Sequence, residues 1–177
     1  MSDYDTMCST VNLRRAYRWL LTNPDYRYKN LFRDSYAAYA ISSKMNLRRL
    51  RDDLRHRRFE ASHASKIFVP KPSGVLRPIT LLTVDDQMTY QACVNIIADR
   101  LKPKTKQRYR KKVFNHLYAG KNSKYFYLKW QDSYRMFADS VRHCVASGYT
   151  HAADFDLTSF YDSIDHNVLR HFRELSG

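Results

Sequence analysis

The stretch ASKIFVPKPSGVLRPITLLTVDDQMTYQACVNIIADRL, residues 64–101, decides the fold. Its first part holds two short runs of β-branched, aromatic and other apolar residues, separated by Pro-Ser-Gly at residues 72–74. Two such runs around a turn sequence predict a β-hairpin over residues 64–82. From Thr83 onward the pattern changes to that of a strong helix, with Thr83 as N-cap and Asp86, three residues later, as its capping-box partner.

Two adjacent aspartates, Asp85 and Asp86, look at first like a metal-binding pair. Their place at the start of the helix offers a simpler explanation, because the first turn of a helix carries a partial positive charge that stabilises carboxylates. Helix capping is therefore favoured over metal binding for both residues.

The sequence before the hairpin predicts helices. Residues 10–22 place Leu13, Tyr17, Leu20 and Leu21 at helical spacing and are followed by Pro24, which ends the pattern. Residues 29–58 predict one or two further helices with an apolar stripe formed by Leu47, Leu50 and Leu54. The other faces carry six arginines, which form either an ordinary solvated surface or a surface for an anionic partner. They are Arg48, Arg49, Arg51, Arg55, Arg57 and Arg58.

Composition limits the class of protein and of partner. The 177 residues are 44% hydrophobic, which is typical of a globular chain, and the net charge of +14 predicts a polyanionic partner, most simply nucleic acid. No basic stretch has a clean apolar opposite face, so a membrane surface is the weaker alternative. Three widely separated cysteines favour a reducing cytosol over a disulfide framework or zinc ribbon. We also expect no signal peptide and no membrane span.

The strongest basic signal lies in residues 100–130. This segment holds eleven lysines or arginines, no acid and seven aromatic residues. Positive charge that follows a phosphate backbone, together with rings that stack on bases, is typical of surfaces that bind a single strand or a hybrid duplex. We expect about half of these aromatic residues to belong to the core instead. The GKNSK sequence at 120–124 is not a P-loop, because the upstream glycine is missing.

An acidic stretch, AADFDLTSFYDSIDH, follows at residues 152–166. The sequence predicts a strand over 150–157, on which Asp154 and Asp156 share a face, and a helix after it. The helix would be capped by Thr158 or Ser159, carry Asp162 and Asp165 in its first two turns, and bury a stripe of Phe160, Ile164, Val168 and Leu169.

Asp156 has no such structural explanation. It stands at the end of the predicted strand, beside a basic groove, where a carboxylate is a reasonable ligand for Mg²⁺.

Two motifs carry a resemblance to a known family. ADFDLTSFYDSIDHNVL is similar to motif A of reverse transcriptases, especially the bacterial group II intron, retron and abortive-infection phage-defence kinds. VPKPSGVLRPI resembles the fingers motif PKxxGxxRP, and TVDDQMTYQA resembles the segment that follows it. The resemblance spans residues 64–174, with the two motifs in the family's order. It implies an RNA-directed DNA polymerase, a cytoplasmic bacterial enzyme with a possible place in phage defence.

The resemblance also implies roles for individual residues. Asp156 matches the catalytic metal ligand of motif A, and the backbone carbonyl of Leu157 would be a second oxygen on the same Mg²⁺. Tyr161 matches the aromatic steric gate that favours dNTP over NTP, with ordinary core packing as the alternative. Lys71 and Arg77 match the residues that clamp the triphosphate, with solvated hairpin charges as the alternative. Gly74 would permit the tight turn that presents both, and Gln91 matches a family glutamine without an assigned role.

The implied fold is α+β and incomplete. A helical basic N-terminal region covers residues 1–62, and a fingers subdomain with the β-hairpin and the segment 100–130 covers 63–148. Residues 149–177 would supply the first strand and helix of a right-hand polymerase palm. The YxDD motif is expected after residue 174, so we expect this chain to be inactive alone and to need a C-terminal palm and thumb segment in the same or another chain. Leu82, where many relatives have proline, and Gln87, where many have arginine, suggest a divergent branch.

Three hypotheses stay open at this stage. The first is the fingers and the start of the palm of a polymerase that acts on an RNA template and a DNA primer, or an RNA–DNA hybrid, with dNTPs and two Mg²⁺ ions. The second is a non-catalytic nucleic-acid-binding module. The third keeps the polymerase chemistry without a template. Sequence alone does not separate the first from the third.

Overall fold

The computed structural model describes residues 2–22, 29–157 and 163–175. These residues form a mixed α+β fold with seven α-helices and a two-stranded antiparallel sheet, as the sequence predicts at this level. The helices are α1 (Asp3–Met7), α2 (Thr10–Leu21), α3 (Arg33–Ile41), α4 (Ser43–Arg55), α5 (Val84–Thr105), α6 (Trp130–Ala146) and α7 (His166–Leu175). The strands are β1 (Ser65–Pro70) and β2 (Leu76–Leu81), and a short 3-10 helix covers Lys29–Phe32.

Two compact units divide the chain, residues 1–138 and 139–177. The division into the regions 1–62, 63–148 and 149–177, which was made from the sequence, stays a prediction. Among the described residues, no helix combines the length and the apolar character that crossing a membrane requires.

The core of the first unit lies where the N-terminal helices pack on α5. Helices α1, α2 and α3 contact α5, and α4 contacts α2 and α3. Leu13 and Ala16 of α2 meet Met88 and Ala92 of α5 in one buried cluster. Leu50 and Leu54 of α4 are buried in the same cluster and Leu47 packs against it, which confirms the predicted stripe.

The β-hairpin predicted over residues 64–82 is present. Pairing runs from Ser65 opposite Leu81 to Pro70 opposite Leu76. Beyond it, the Lys71 N–H donates to the Val75 carbonyl at 2.8 Å and the Gly74 N–H to the Lys71 carbonyl at 2.9 Å. Gly74 has a φ of +81°, the left-handed conformation expected at the last position of a three-residue hairpin loop. The predicted role of Gly74 in the turn is confirmed.

Helix α5 begins at the predicted N-cap, but the predicted capping box is only half formed. Thr83 is the N-cap, and the Thr83 Oγ1 accepts from the Asp86 N–H at 3.2 Å. The Asp86 carboxylate accepts from the Thr83 hydroxyl at 2.5 Å, whereas a capping box requires it to accept from the Thr83 N–H. It also accepts from the Ser62 N–H at 3.2 Å, which fixes the chain that leads into the hairpin.

Residues 117–128 form a small hairpin-like loop that is held against α2. The Ala119 N–H donates to the Phe126 carbonyl at 2.9 Å, and the Leu128 N–H donates to the Leu117 carbonyl at 2.8 Å. The indole of Trp19, on α2, packs edge-on against Phe126 with ring centroids 4.9 Å apart. We call residues 117–128 the α2-docked loop.

The strand predicted over residues 150–157 is wrong. Residues 149–157 adopt no regular secondary structure, and the sheet formed by the described residues contains only β1 and β2. A strand needs a neighbouring strand to satisfy its backbone N–H and C=O groups. No described segment pairs with 150–157, so this stretch stays irregular.

The helix predicted after this stretch is confirmed only in its second half, as α7. Thr158, Ser159, Phe160 and Asp162, for which cap and stripe positions were predicted, lie outside the described residues. Asp165, directly before α7, accepts from the Asn167 N–H at 2.7 Å and so occupies an N-cap position. Val168 is half-exposed rather than buried in the predicted stripe.

Candidate nucleic-acid interface

The basic segment 100–130 presents its charge to solvent. Ten of its eleven lysines and arginines are exposed, and Lys102 is half-buried. Arg100 pairs with Asp3, and the other ten cations form no ion pair within the part of the chain that the structure describes. Uncompensated charges that repeat along a segment attract a polyanion more strongly than paired charges do. The predicted electrostatic surface is therefore available in the folded chain.

The aromatic residues of the segment divide unequally between core and surface. Tyr127 and Trp130 are exposed, by 45% and 65%. The other five are buried or half-buried, somewhat more than the expected half: Tyr109, Phe114, Tyr118, Tyr125 and Phe126. Base stacking by this segment would therefore rest on Tyr127 and Trp130.

A half-buried polar network holds the α2-docked loop to α2 and α5. Arg15, on α2, forms an ion pair with Asp99, on α5, at 2.7 Å. The Tyr118 hydroxyl of the loop donates to the other oxygen of the Asp99 carboxylate. Burial, together with this donation to Asp99, raises the pKa of Tyr118 well above the ordinary tyrosine value. The phenol therefore stays protonated and keeps donating, which fixes the loop beside α5.

The same network continues into the core between α2 and α5. The Asn12 amide donates to the Met7 carbonyl at 3.1 Å and to the Ala92 carbonyl at 3.0 Å. The side-chain amides of Asn12 and Asn95 lie 2.9 Å apart, and that of Gln91 lies 2.9 Å from Asn95. Gln91, which the resemblance left without a role, therefore belongs to the packing of α5 in this structure.

Lys71 and Arg77 share one face of the hairpin. Arg77 is paired with Val69 across the sheet, and Lys71 follows Val69 by two positions, which returns the side chain to the same face. Both residues are exposed. Lys66, paired with Thr80, lies on the opposite face and is also exposed. The turn at Gly74 thus brings the two predicted triphosphate ligands within diagonal reach of each other.

Asp85 and Asp86 have structural partners, as the capping hypothesis predicts. Asp85 accepts from the Tyr39 hydroxyl at 3.0 Å and forms an ion pair with Arg49. Hydrogen bonding to Asp85 raises the pKa of the Arg49 guanidinium, and burial beside Asp85 raises that of Tyr39. With the Asp86 contacts to Thr83, these bonds tie α3, α4 and the start of α5 together.

Asp156 lies in the second unit, whereas Lys71 and Arg77 lie in the first. Asp154 and Asp156 are exposed. The Asp156 carboxylate accepts from the Leu157 N–H at 2.9 Å. Tyr161, the predicted steric gate, lies outside the described residues.

The donor set for a magnesium ion is incomplete in the described residues. They contain no group of three or more His, Cys, Asp or Glu side chains able to hold a metal. Asp156 and the Leu157 carbonyl would supply two oxygen ligands, whereas Mg²⁺ takes about six, several of them waters or phosphate oxygens.

Comparison of the chain with family models, curated proteins and solved structures found no match. The assignment of function therefore depends on the residues and their geometry.

One feature of the basic segment was missed by sequence reasoning. A surface pocket of about 380 Å³ lies beside the α2-docked loop, and its lining includes Asp99, Lys102, Gly120, Lys121 and Asn122.

Proposed function

We propose that this chain binds nucleic acid through its basic segment and supplies the fingers and the start of the palm of an RNA-directed DNA polymerase. In this proposal Lys71 and Arg77 bind the triphosphate of a dNTP, and Asp156 with the Leu157 carbonyl contributes to Mg²⁺ binding. The bound Mg²⁺ would supply activation of the primer hydroxyl and charge neutralisation of the leaving pyrophosphate. Tyr161 would favour dNTP over NTP.

The observation that carries the proposal is the geometry of the hairpin. A three-residue loop with Gly74 at positive φ sets the register, in which Arg77 is opposite Val69. The Lys71 N–H bond to the Val75 carbonyl extends the pairing by one residue, and alternation along the strand then puts Lys71 on the same face as Arg77. Arginine offers a planar fork of donors and lysine a compact ammonium, a combination suited to the oxygens of a triphosphate. This supports a shared ligand for the two residues.

The charge distribution supports a nucleic-acid partner for the first unit. The exposed cations of the basic segment are joined by Lys44, Arg48 and Arg55 on α4, which are four and seven residues apart and therefore share a helix face. These three also form no ion pair with any described residue. Phosphate contacts dominate the affinity of proteins for nucleic acid, so such surfaces favour binding without sequence preference.

A non-catalytic nucleic-acid-binding module is the second candidate. The irregular backbone of residues 149–157 favours it, because the polymerase hypothesis places Asp156 at the end of a palm strand. In this alternative the basic surface carries the whole function and Asp156 is a solvated surface residue.

The first test measures binding of a single-stranded oligonucleotide to the 177-residue chain as a function of salt. Affinity should fall about 300-fold between roughly 50 and 200 mM salt if about six phosphates of the single strand are contacted. Replacing Lys111 and Lys112 with alanine should reduce the slope of log affinity against log salt by the amount expected for about two phosphate contacts. The matched control is the double change Arg14→Ala on α2 and Arg135→Ala on α6, which removes the same charge from two exposed arginines that also form no ion pair with any described residue.

An affinity that does not change with salt would contradict the proposed nucleic-acid interface. Equal effects of the two double changes would show a response to net charge alone, and the basic segment would lose its assigned role.

The second test concerns the hairpin. Binding of a dNTP with Mg²⁺ to the chain should weaken about tenfold in Lys71→Ala and in Arg77→Ala, because each change removes a charge-assisted hydrogen bond. Lys66→Ala, on the opposite face of the same hairpin, should change the dissociation constant less than about twofold. Equal losses in all three variants would contradict a triphosphate site on one face and favour the second candidate.

A further inference from the structure

A tight turn at the tip of the α2-docked loop lines the surface pocket beside that loop. Residues 120–123 form this turn, closed by a hydrogen bond from the Ser123 N–H to the Gly120 carbonyl at 3.0 Å. The carbonyl of Ser123 accepts from the Trp19 indole at 3.3 Å and from Arg18 at 3.2 Å. Both ends of the turn are therefore held in place, so its backbone groups are pre-organised rather than free to rearrange.

Three consecutive N–H groups in this turn lack partners. Those of Gly120, Lys121 and Asn122 donate to no group in the part of the chain that the structure describes. Gly120 is a buried residue, and unpaired N–H groups are rare at buried positions. Successive N–H groups at a turn are a common way for proteins to bind an anion.

The side chains around the pocket add positive charge. The Lys102 ammonium donates to the Ala119 carbonyl at 3.2 Å, which uses one of its three protons. Lys121 is exposed at the rim. Asp99 also lines the pocket, but its carboxylate is already bound by Arg15 and by the Tyr118 hydroxyl. The negative charge of Asp99, which would otherwise repel an anion, is therefore neutralised by these partners.

Glycine is favoured at position 120 by its backbone conformation. Its φ is +108°, in which any other residue is strained. A Cβ at this position would also displace the flexible end of the Lys102 side chain, whose ammonium lies against Gly120.

We infer that the turn at residues 120–123, with Lys102 and Lys121, is a binding site for one phosphate group. The site differs from a P-loop because it joins no strand to a helix and is held instead by Trp19 and Lys102. Assignment of the phosphate to a bound nucleic-acid strand rests on the proposed function. A free phosphate offers the same chemistry to the site, and the experiment separates these two sources.

The test is a titration of the isotope-labelled 177-residue chain with inorganic phosphate at constant ionic strength, followed by amide NMR signals. Saturable shifts are expected at Gly120, Lys121 and Asn122. Lys121→Ala should weaken phosphate binding about tenfold, because a charge-assisted contact is lost. Lys66→Ala removes the same charge at an exposed position of the hairpin that has no assigned binding role, and it should change the dissociation constant less than about twofold.

Gly120→Ala is the second variant and should abolish the saturable shifts, with the circular dichroism spectrum confirming that the chain stays folded. Shifts that do not saturate, shifts spread evenly over the segment, or equal effects of Lys121→Ala and Lys66→Ala would overturn the site. If Gly120→Ala unfolds the chain, the comparison of the two lysine variants decides alone.

A second titration uses a single-stranded DNA oligonucleotide. Shifts of the same three amides assign the phosphate to a strand, and shifts with inorganic phosphate alone assign the site to a free phosphate. If the oligonucleotide does not bind at all, the proposed function fails while the phosphate site stands. If the oligonucleotide binds but inorganic phosphate gives no saturable shifts at the turn, the phosphate site fails and the proposed function stands.

Discussion

Asp85, Asp86 and Asp99 of the first unit accept hydrogen bonds from groups that are distant in the sequence, whereas Asp154 and Asp156 of the second unit are exposed. Asp99, for example, is bound by Arg15, which lies 84 positions earlier in the sequence. The Asp156 carboxylate accepts only from the N–H of the residue that follows it, within the described part of the chain.

This difference separates carboxylates that hold the fold from those that remain free to bind a ligand. A carboxylate removed from water costs several kcal/mol unless it is paired or hydrogen-bonded, so the half-buried acids of the first unit need their partners. A solvated carboxylate carries no such requirement and can bind a cation without disturbing the fold. The comparison therefore predicts opposite responses to mutation in the two units.

The largest expected effect is on the core of the first unit. Met88→Ala removes a side chain that is 0% exposed and should lower the free energy of unfolding by about 2–5 kcal/mol. Val145→Ala, at a position 65% exposed in the second unit, should change it by less than about 0.5 kcal/mol. Urea denaturation of the two variants measures both values. A loss at Val145 comparable to that at Met88 would show that α6 is covered in solution.

A medium effect is expected from the carboxylates themselves. Asp99→Asn removes the counter-charge of Arg15, whose side chain is only 11% exposed, and should lower the free energy of unfolding by about 1–3 kcal/mol. Asp156→Asn should leave stability within about 0.5 kcal/mol of the parent chain.

Thermal and urea unfolding of the two asparagine variants measure these differences. A destabilised Asp156→Asn variant would mean that Asp156 has a structural partner, and its proposed role in Mg²⁺ binding would weaken. An unchanged Asp99→Asn variant would mean that the Arg15 pair contributes nothing, and the distinction between the two kinds of carboxylate would fail.

Most of the first unit could be predicted from local pattern. The hairpin, its turn at Gly74, the cap at Thr83 and the stripe of Leu47, Leu50 and Leu54 all follow from the sequence of a short window. Each depends on interactions between residues a few positions apart or on the period of a single helix. The face shared by Lys71 and Arg77 follows from the hairpin register in the same way.

Features that depend on distant partners could not be predicted. The strand expected at 150–157 required a neighbouring strand, and none is formed by the described residues. The pocket beside Gly120 depends on Lys102 and on the docking of the loop against Trp19 of α2, about a hundred positions away in the sequence. No local pattern in residues 117–128 indicates either contact.

The smallest expected effect compares the two helix caps. Thr83→Ala removes the Oγ1 that accepts from the Asp86 N–H at the start of α5, and Asp165→Ala removes the carboxylate that accepts from the Asn167 N–H at the start of α7. Loss of a cap costs about 1 kcal/mol of helix stability in either case. Because α5 is packed in the core, the Thr83 change should appear in full in the free energy of global unfolding.

The Asp165 change should instead fray α7 locally. Faster amide hydrogen exchange in the first turn of α7, with an unchanged urea midpoint, is the expected signature. Equal shifts of the urea midpoint in both variants would mean that the two units unfold as one cooperative body. In that case the exposure of Asp154 and Asp156 would reflect their local surroundings rather than a weaker second unit.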